Sequence, residues 1–149
     1  MIITIDNLKF QIRDCQDEDY LFVYDLLKEN MLASFIKHWG EWNPESFKKS
    51  FNKKNIKIIE HKSKCVAYYE IKFQESLSYI NNIQVSKLMQ GKGLGTFLID
   101  LMEKETQKHK LKKIRLKVFK DNLALKFYIK LGYKQVKDEG SSVFLEKKI

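Results

Sequence analysis

Gln90-Gly91-Lys92-Gly93-Leu94-Gly95-Thr96 stands where a strand pattern gives way to a helix pattern. Residues 77–85 before it are rich in β-formers. After it, Leu94, Phe97, Leu98, Leu101 and Met102 recur at i, i+3, i+4, i+7 and i+8, one apolar stripe of an amphipathic helix. Glycine lets bare backbone approach a ligand, because no Cβ intervenes. The first amides of a helix lack intrahelical partners and sit at the positive end of its dipole. The stretch therefore predicts a cradle for a phosphate or pyrophosphate. A Walker A loop would need Ser or Thr after Lys92, where Gly93 stands, and a dinucleotide fingerprint starting at Gly91 would need glycine in place of Thr96. What fits is Q-x-x-G-x-G, met by Gln90, Gly93 and Gly95. A glycine-rich turn without a ligand is the plainer alternative for this segment alone.

Outward from the loop the chain reads as mixed α and β. Upstream, residues 2–5 and 10–13 alternate around Asp6-Asn7 as an N-terminal hairpin or a strand pair. Asp17 is a candidate cap for a helix through Leu21, Tyr24, Leu27 and Lys28, with a second helical stretch over 31–39. Asn43-Pro44 forms an N-cap and first-turn pair, with Phe47 and Phe51 on one face of the helix it opens. Strands are expected at 56–60, 65–73 and 77–85, with a turn at 61–64. Ile114, Leu116 and Val118 alternate as a half-buried strand, and 133–137 with 143–146 flank Asp138-Glu139-Gly140 as a terminal hairpin. Strand, helix and strand around the glycine loop imply a crossover between parallel strands, while short turns elsewhere demand antiparallel neighbours.

A second block lies downstream. Asp121 or Asn122 can cap a short helix whose Ala124, Phe127, Tyr128 and Leu131 share a face, and Gly132 can close it. Phe127 and Leu131 read as core. Taken in order, the loop of Gln90, Gly93 and Gly95 and this block of Asn122, Ala124, Phe127-Tyr128 and Leu131-Gly132-Tyr133 resemble the two motifs of the GNAT superfamily of acetyl-coenzyme A-dependent N-acetyltransferases. The resemblance covers residues 55–146. It implies a central mixed, mostly antiparallel twisted sheet with helices on both faces, filling residues 1–149 as a single domain.

The resemblance also implies a chemistry: an amine attacks the acetyl thioester directly in a ternary complex with acetyl-CoA as co-substrate. Gln90, Gly91, Lys92, Gly93, Leu94, Gly95 and Thr96 would hold the pyrophosphate. Backbone amides around Ile83, Gln84 and Val85 would meet the pantetheine arm, where strands splay in the family, and Asn122 would also touch the cofactor. Tyr128 matches the tyrosine that serves the leaving thiolate. A phenol near pKa 10 is a weaker acid than a thiol near 8.5, so full protonation is uphill by about 2 kcal/mol, and a hydrogen bond to the developing thiolate is the role that fits. The family's strand glutamate has no counterpart, since Asn81, Asn82 and Gln84 stand there. Glu70 is the candidate general base, with Glu41, His38 and a water chain as alternatives, although each side chain taken singly reads as surface. Phe35, Trp39, Trp42, Tyr68 and Tyr79 are candidates for an acceptor wall, with Glu41 or Glu45 to hold a cationic amine. The same aromatics would also serve as plain core.

Composition bounds the reading. At 149 residues, 44% apolar and 13% aromatic, the chain can bury a core, and one proline with six glycines leaves no linker. No run approaches the roughly 20 apolar residues of a membrane span, and the start lacks signal-peptide flanks, so a cytoplasmic protein without a membrane partner is expected. Cys15 and Cys65 read as reduced buried thiols, and His38, His61 and His109 have no metal-ligand spacing. The net charge of +9 is interleaved with acid, and two arginines make no recognition element, which argues against nucleic acid. Two other classes stay open: a CoA-binding regulatory module without catalysis, and a basic nucleic-acid-binding domain. The terminal hairpin also offers an edge for a homodimer.

Overall fold

The computed structural model describes all 149 residues. Eight strands, β1 (Ile2–Ile5), β2 (Leu8–Asp14), β3 (Ile56–His61), β4 (Lys64–Phe73), β5 (Ser78–Val85), β6 (Lys113–Phe119), β7 (Lys134–Asp138) and β8 (Ser142–Lys148), follow the hydrogen-bonded order β1-β2-β3-β4-β5-β6-β8-β7, and the chain divides into two compact units, residues 1–70 with 82–97 and residues 71–81 with 98–149.

In the first unit, β1 (Ile2–Ile5) and β2 (Leu8–Asp14) form the expected hairpin. Asp6 and Asn7 take φ of 48° and 67°, the left-handed pair that matches a two-residue turn to the strand twist. Antiparallel pairing continues from β2 to β3 (Ile56–His61), and from β3 to β4 (Lys64–Phe73) around a second left-handed turn at Lys62-Ser63. The expected turn at 61–64 thus narrows to two residues.

The two helices expected between residues 17 and 39 are one. A 3-10 turn at Asp17–Asp19 leads into α1 (Tyr20–Trp39), which ends at Gly40 with φ of 84°. No glycine or proline interrupts those twenty residues, and Asn30 in the middle bonds outside the helix rather than to its own backbone. Asp19, not Asp17, organises the entry, since its carboxylate accepts from the Gln16 amide at 2.7 Å and from Arg13 at 2.7 and 2.9 Å. Arg13 also meets Glu60 at 3.2 Å, so one guanidinium ties β2, β3 and the helix entry together. Next, α2 (Pro44–Ser50) starts as expected, with Asn43 accepting from the Ser46 amide at 3.1 Å. Val23, Leu26 and Leu27 of α1 pack on Ile56, Ile58, Cys15 and Tyr68, flanked by Phe22, Phe35, Trp42, Phe47 and Phe51.

In the second unit, the start of β5 (Ser78–Val85) runs parallel to β6 (Lys113–Phe119), Ser78 opposite Ile114 and Ile80 opposite Leu116. This is the crossover pairing expected around α3 (Leu94–Lys108). β8 (Ser142–Lys148) runs antiparallel to β6 and to the edge strand β7 (Lys134–Asp138). Ile114, Leu116 and Val118 are buried, as are Leu98, Ile99 and Met102 of α3. Ser78 Oγ meets Thr106 Oγ1 at 2.5 Å, and Thr106 also donates to the Met102 carbonyl. The last helix, α4 (Ala124–Lys130), is shorter than its sequence block. Leu131 leaves the helical region, and Gly132 turns the chain at φ of 98°.

Candidate active site

The glycine loop forms as a separate structure between strand and helix. β5 ends at Val85, a 3-10 turn covers Lys87–Met89, and Gly91 and Gly93 take φ of 74° and 87° before α3 begins at Leu94. A Cβ at Gly91 would meet open space and one at Gly93 would touch Ile5 Cγ2 at 3.5 Å, an ordinary contact. Both positions therefore need glycine for backbone conformation, not for room. Phe97 makes the first helical bond, to the Gly93 carbonyl at 3.1 Å. The amides of Leu94, Gly95 and Thr96 precede it, so they belong to the unpaired N-terminal set that an anion can use. Lys92 is exposed beside them. The Gln90 side chain points back, its Nε2 donating to the Val85 carbonyl at 2.9 Å. It fixes the loop to the end of the strand from which it departs.

Val85 O is held a second time, by Asn30 Nδ2 at 3.1 Å. The same amide donates to Gln84 Oε1, and Gln84 Nε2 donates to Asn82 Oδ1 at 3.2 Å. The Gln84 side chain is thus committed to α1 and to its own strand, leaving its backbone as what it offers a ligand. Ile83, Gln84 and Val85 are all half-buried. Sequence reasoning passed over Asn30, and the signal was an amide side chain placed mid-helix on the half-buried face.

In the second unit, Asn122 Oδ1 accepts from the Ala124 amide at 2.8 Å, the capping role expected for it. Tyr128 on α4 is 7% exposed, with Phe127 and Tyr133 rings at 5.3 and 5.8 Å. Burial pushes its phenol well above the ordinary range, so the hydroxyl keeps its proton at any working pH. Tyr133 donates to Glu103 at 3.0 Å. Phe127 and Leu131, expected in the core, are half-buried. Tyr79, also half-buried, lies 6.5 Å from Phe144, and burial raises its pKa.

In the first unit, Phe35 stacks on Trp39 at 4.5 Å and 7°, and on Trp42 at 5.5 Å and 19°. Trp42 Nε1 donates to Tyr24 Oη at 2.9 Å, and Trp39 is 62% exposed. These three rings of the expected wall come together at the C-terminal end of α1, with Glu41 and Glu45 exposed nearby in sequence. Tyr68 lies in the core cluster that Phe35 and Trp42 flank, edge-on to Phe22, 1% exposed and with no hydrogen-bond partner for its hydroxyl. Glu70, whose type and strand position suggested a surface charge, is 6% exposed. It falls two residues from Tyr68 on the same face of β4, which that core covers. No three His, Cys, Asp or Glu side chains group as metal ligands, and no helix is long and apolar enough to cross a membrane.

Residues 13–145 match the family model of the acetyltransferase (GNAT) domain. No curated protein sequence matches the chain. Among solved structures, the PaiA N-acetyltransferase of Thermoplasma acidophilum, in complex with coenzyme A, is 20% identical with a TM-score of 0.77 over 94% of this chain and 99% of its own. A GNAT-family acetyltransferase of Listeria monocytogenes is 19% identical with a TM-score of 0.72 over the whole of both chains. The ribosomal-protein-S18-alanine N-acetyltransferase of Escherichia coli is 18% identical with a TM-score of 0.73 over 94% of each. At these identities the likeness is one of fold, and the mixed, mostly antiparallel sheet expected from sequence is the fold they share.

Proposed function

The chain belongs to the GNAT acetyltransferase family, and from that premise we propose that it moves an acetyl group from acetyl-CoA to a primary amine by direct attack in a ternary complex. The observation that carries this reading is the glycine loop, with two left-handed glycines delivering three unpaired amides at the start of a fifteen-residue helix. Residues 94–96 and Lys92 bind the pyrophosphate, and the strand backbone at residues 83–85 meets the pantetheine arm. Asn122 borders the cofactor while capping α4.

In the chemical step the amine nitrogen bonds to the acetyl carbon, the carbon–sulfur bond breaks and its electron pair leaves on sulfur. Tyr128, held protonated by burial, donates a hydrogen bond to that thiolate and keeps its proton. The amine's proton passes to Glu70, buried on β4, or through water to solvent. Phe35, Trp39 and Trp42 form the acceptor wall, with Glu41 next to Trp42 in sequence. Aromatic faces and a carboxylate suit an amine on an apolar or extended scaffold.

Isothermal titration with acetyl-CoA tests the reading, run beside Gly93→Asp, whose side chain and charge oppose the pyrophosphate. Binding by the wild type that vanishes in the variant, with turnover on an amine panel, is the expected result. Absence of wild-type binding sinks the reading. Binding without turnover of any amine leaves a CoA-binding module.

A further inference from the structure

A chain of side-chain amides joins the middle of α1 to β5, and its direction is fixed by its first member. Asn30 Nδ2 lies 3.1 Å from the Val85 carbonyl oxygen and 3.1 Å from Gln84 Oε1. A backbone carbonyl can only accept, so the Asn30 group facing it is the NH2, and Asn30 donates both bonds. Gln84 must then give its oxygen to Asn30 and turn its Nε2 away, where it donates to Asn82 Oδ1 at 3.2 Å. Asn82 spends its oxygen on Gln84, and its own NH2 faces out of the chain of bonds. Reversing Gln84 or Asn82 alone would set NH2 against NH2, and reversing the whole chain would set Asn30 oxygen against Val85 oxygen, a carbonyl that Gln90 also holds in place at 2.9 Å. The end of the chain is therefore a donor.

Its location follows from alternation. Gln84 and Asn82 are two residues apart on one strand and share a face, and the bond to Asn30 identifies that face as the one turned to α1. Phe35 and Trp39 lie further along the same helix. The electrostatics are specific too. Residues 81, 82 and 84 carry amides and no carboxylate, so this strand gives no base to a strongly basic amine. An ordinary alkylammonium near pKa 10.4 is neutral to about 0.04% at pH 7, whereas an α-amino group near 8 is neutral to about 10%. An N–H donor repels an ammonium and donates to the oxygen of the carbonyl that makes an α-amine weakly basic.

Resting on the acetyltransferase reading above, we propose that Asn82, oriented by Asn30 and Gln84, is a specificity-determining donor that selects α-amino carbonyl compounds over simple alkylamines. The carbonyl oxygen next to the attacking nitrogen takes the Asn82 N–H, and the weak basicity conferred by that carbonyl supplies the neutral amine.

The test compares acetylation of glycinamide with that of propargylamine, an amine of similar basicity without an oxygen, at saturating acetyl-CoA. The wild type should favour glycinamide in kcat/KM by about tenfold, the worth of one well-placed hydrogen bond. Asn82→Leu removes the donor. Asn82→Ala removes it as well, with a smaller side chain, and leaves Gln84 in place. Both variants should lose the preference through a higher KM for glycinamide, with propargylamine kinetics and the acetyl-CoA Kd within about threefold of wild type. One folded variant of the two suffices, because each removes the same group. Equal use of the two amines by the wild type overturns the proposal, and so does a preference that survives in both variants. Acetyl-CoA binding with neither amine acetylated overturns the acceptor class, while failure to bind acetyl-CoA strikes the acetyltransferase reading itself. Adding the glycine-initiated tripeptide amide Gly-Ala-Ala separates the two sources of this chemistry: a gain over glycinamide assigns a peptide N-terminus, and equality assigns a free amino-acid derivative.

Discussion

Gly93→Ala separates conformation from space in the glycine loop. Gly93 holds φ of 87°, and a Cβ there would touch Ile5 Cγ2 at 3.5 Å without clash. The cost is therefore the left-handed backbone itself, about 1–2 kcal/mol for a residue with a Cβ, which lowers Tm by about 2–8 °C in a chain of this size. Gly40 is the control, with φ of 84° and nothing within 4 Å of its Cβ. Gly40→Ala should cost the same stability by the same mechanism. The two must differ in ligand binding. At Gly93 the strain is relieved by rotating the peptide that aims the amides of residues 94–96, and loss of one charge-assisted bond weakens acetyl-CoA binding by about ten- to a hundredfold. At Gly40 relief occurs at the end of α1, and the acetyl-CoA Kd should stay within twofold. Calorimetric Tm and isothermal titration on both variants decide it. Wild-type affinity in Gly93→Ala, or an equal loss in Gly40→Ala, refutes the cradle.

Three further outcomes are expected. Tyr128→Phe should lower kcat by about ten- to a hundredfold with the acetyl-CoA Kd unchanged. Because burial raises the Tyr128 pKa, the wild-type rate should show no alkaline limb from this phenol up to pH 10, and unchanged turnover in the variant removes the residue from the mechanism. The Asp19 carboxyl is held below its usual range chiefly by the Arg13 guanidinium, helped by the Gln16 amide. Its stabilisation is present above the unfolded carboxylate pKa near 4 and fades as pH falls through the lower folded value. Asp19→Asn should cost about 2–3 kcal/mol near pH 7 and narrow its deficit in urea melts below pH 4, whereas a pH-independent deficit counts against the ion pair. Tyr68→Phe removes a buried hydroxyl that has no partner, so Tm should hold or rise by a few degrees. A fall in Tm would mean the hydroxyl bonds in solution.

How much was legible in the sequence depended on whether a residue's role was set by its chain neighbours. The turns at Asp6-Asn7 and Lys62-Ser63, the cap at Asn43-Pro44 and the glycine loop are local, and each forms where its residues stand. Alternation at Ile114, Leu116 and Val118 was legible for the same reason, since a period of two needs only a covered face. α1 was misread as two helices because its polar middle, Lys28-Glu29-Asn30, resembles a break. In the fold the Asn30 amide bonds β5 and leaves the helical backbone unbroken. Glu70 was read as surface from residue type alone, and Tyr68 was left between acceptor wall and core. Both lie on a strand face covered by Val23, Leu26 and Leu27, more than forty residues earlier in sequence, and no local pattern records that cover.

The amides at residues 82 and 84 show the same limit from the functional side. In sequence they marked an absence, a strand without the carboxylate that would take a proton from an ammonium. In the fold they are the downstream part of a hydrogen-bond chain whose sense is imposed by a single backbone carbonyl. An amide can present either face, so its chemistry is undetermined until something that cannot flip decides it. Val85 O is that group, and Asn30 and Gln90 reach it from α1 and from the glycine loop. Any change that frees this carbonyl should therefore disturb both the loop and the polarity of Asn82. Asn30→Ala is expected to raise the acetyl-CoA Kd and erase the glycinamide preference together, measured by titration and by the paired amine assay. Loss of one without the other would mean that the cofactor loop and the acceptor donor are held independently.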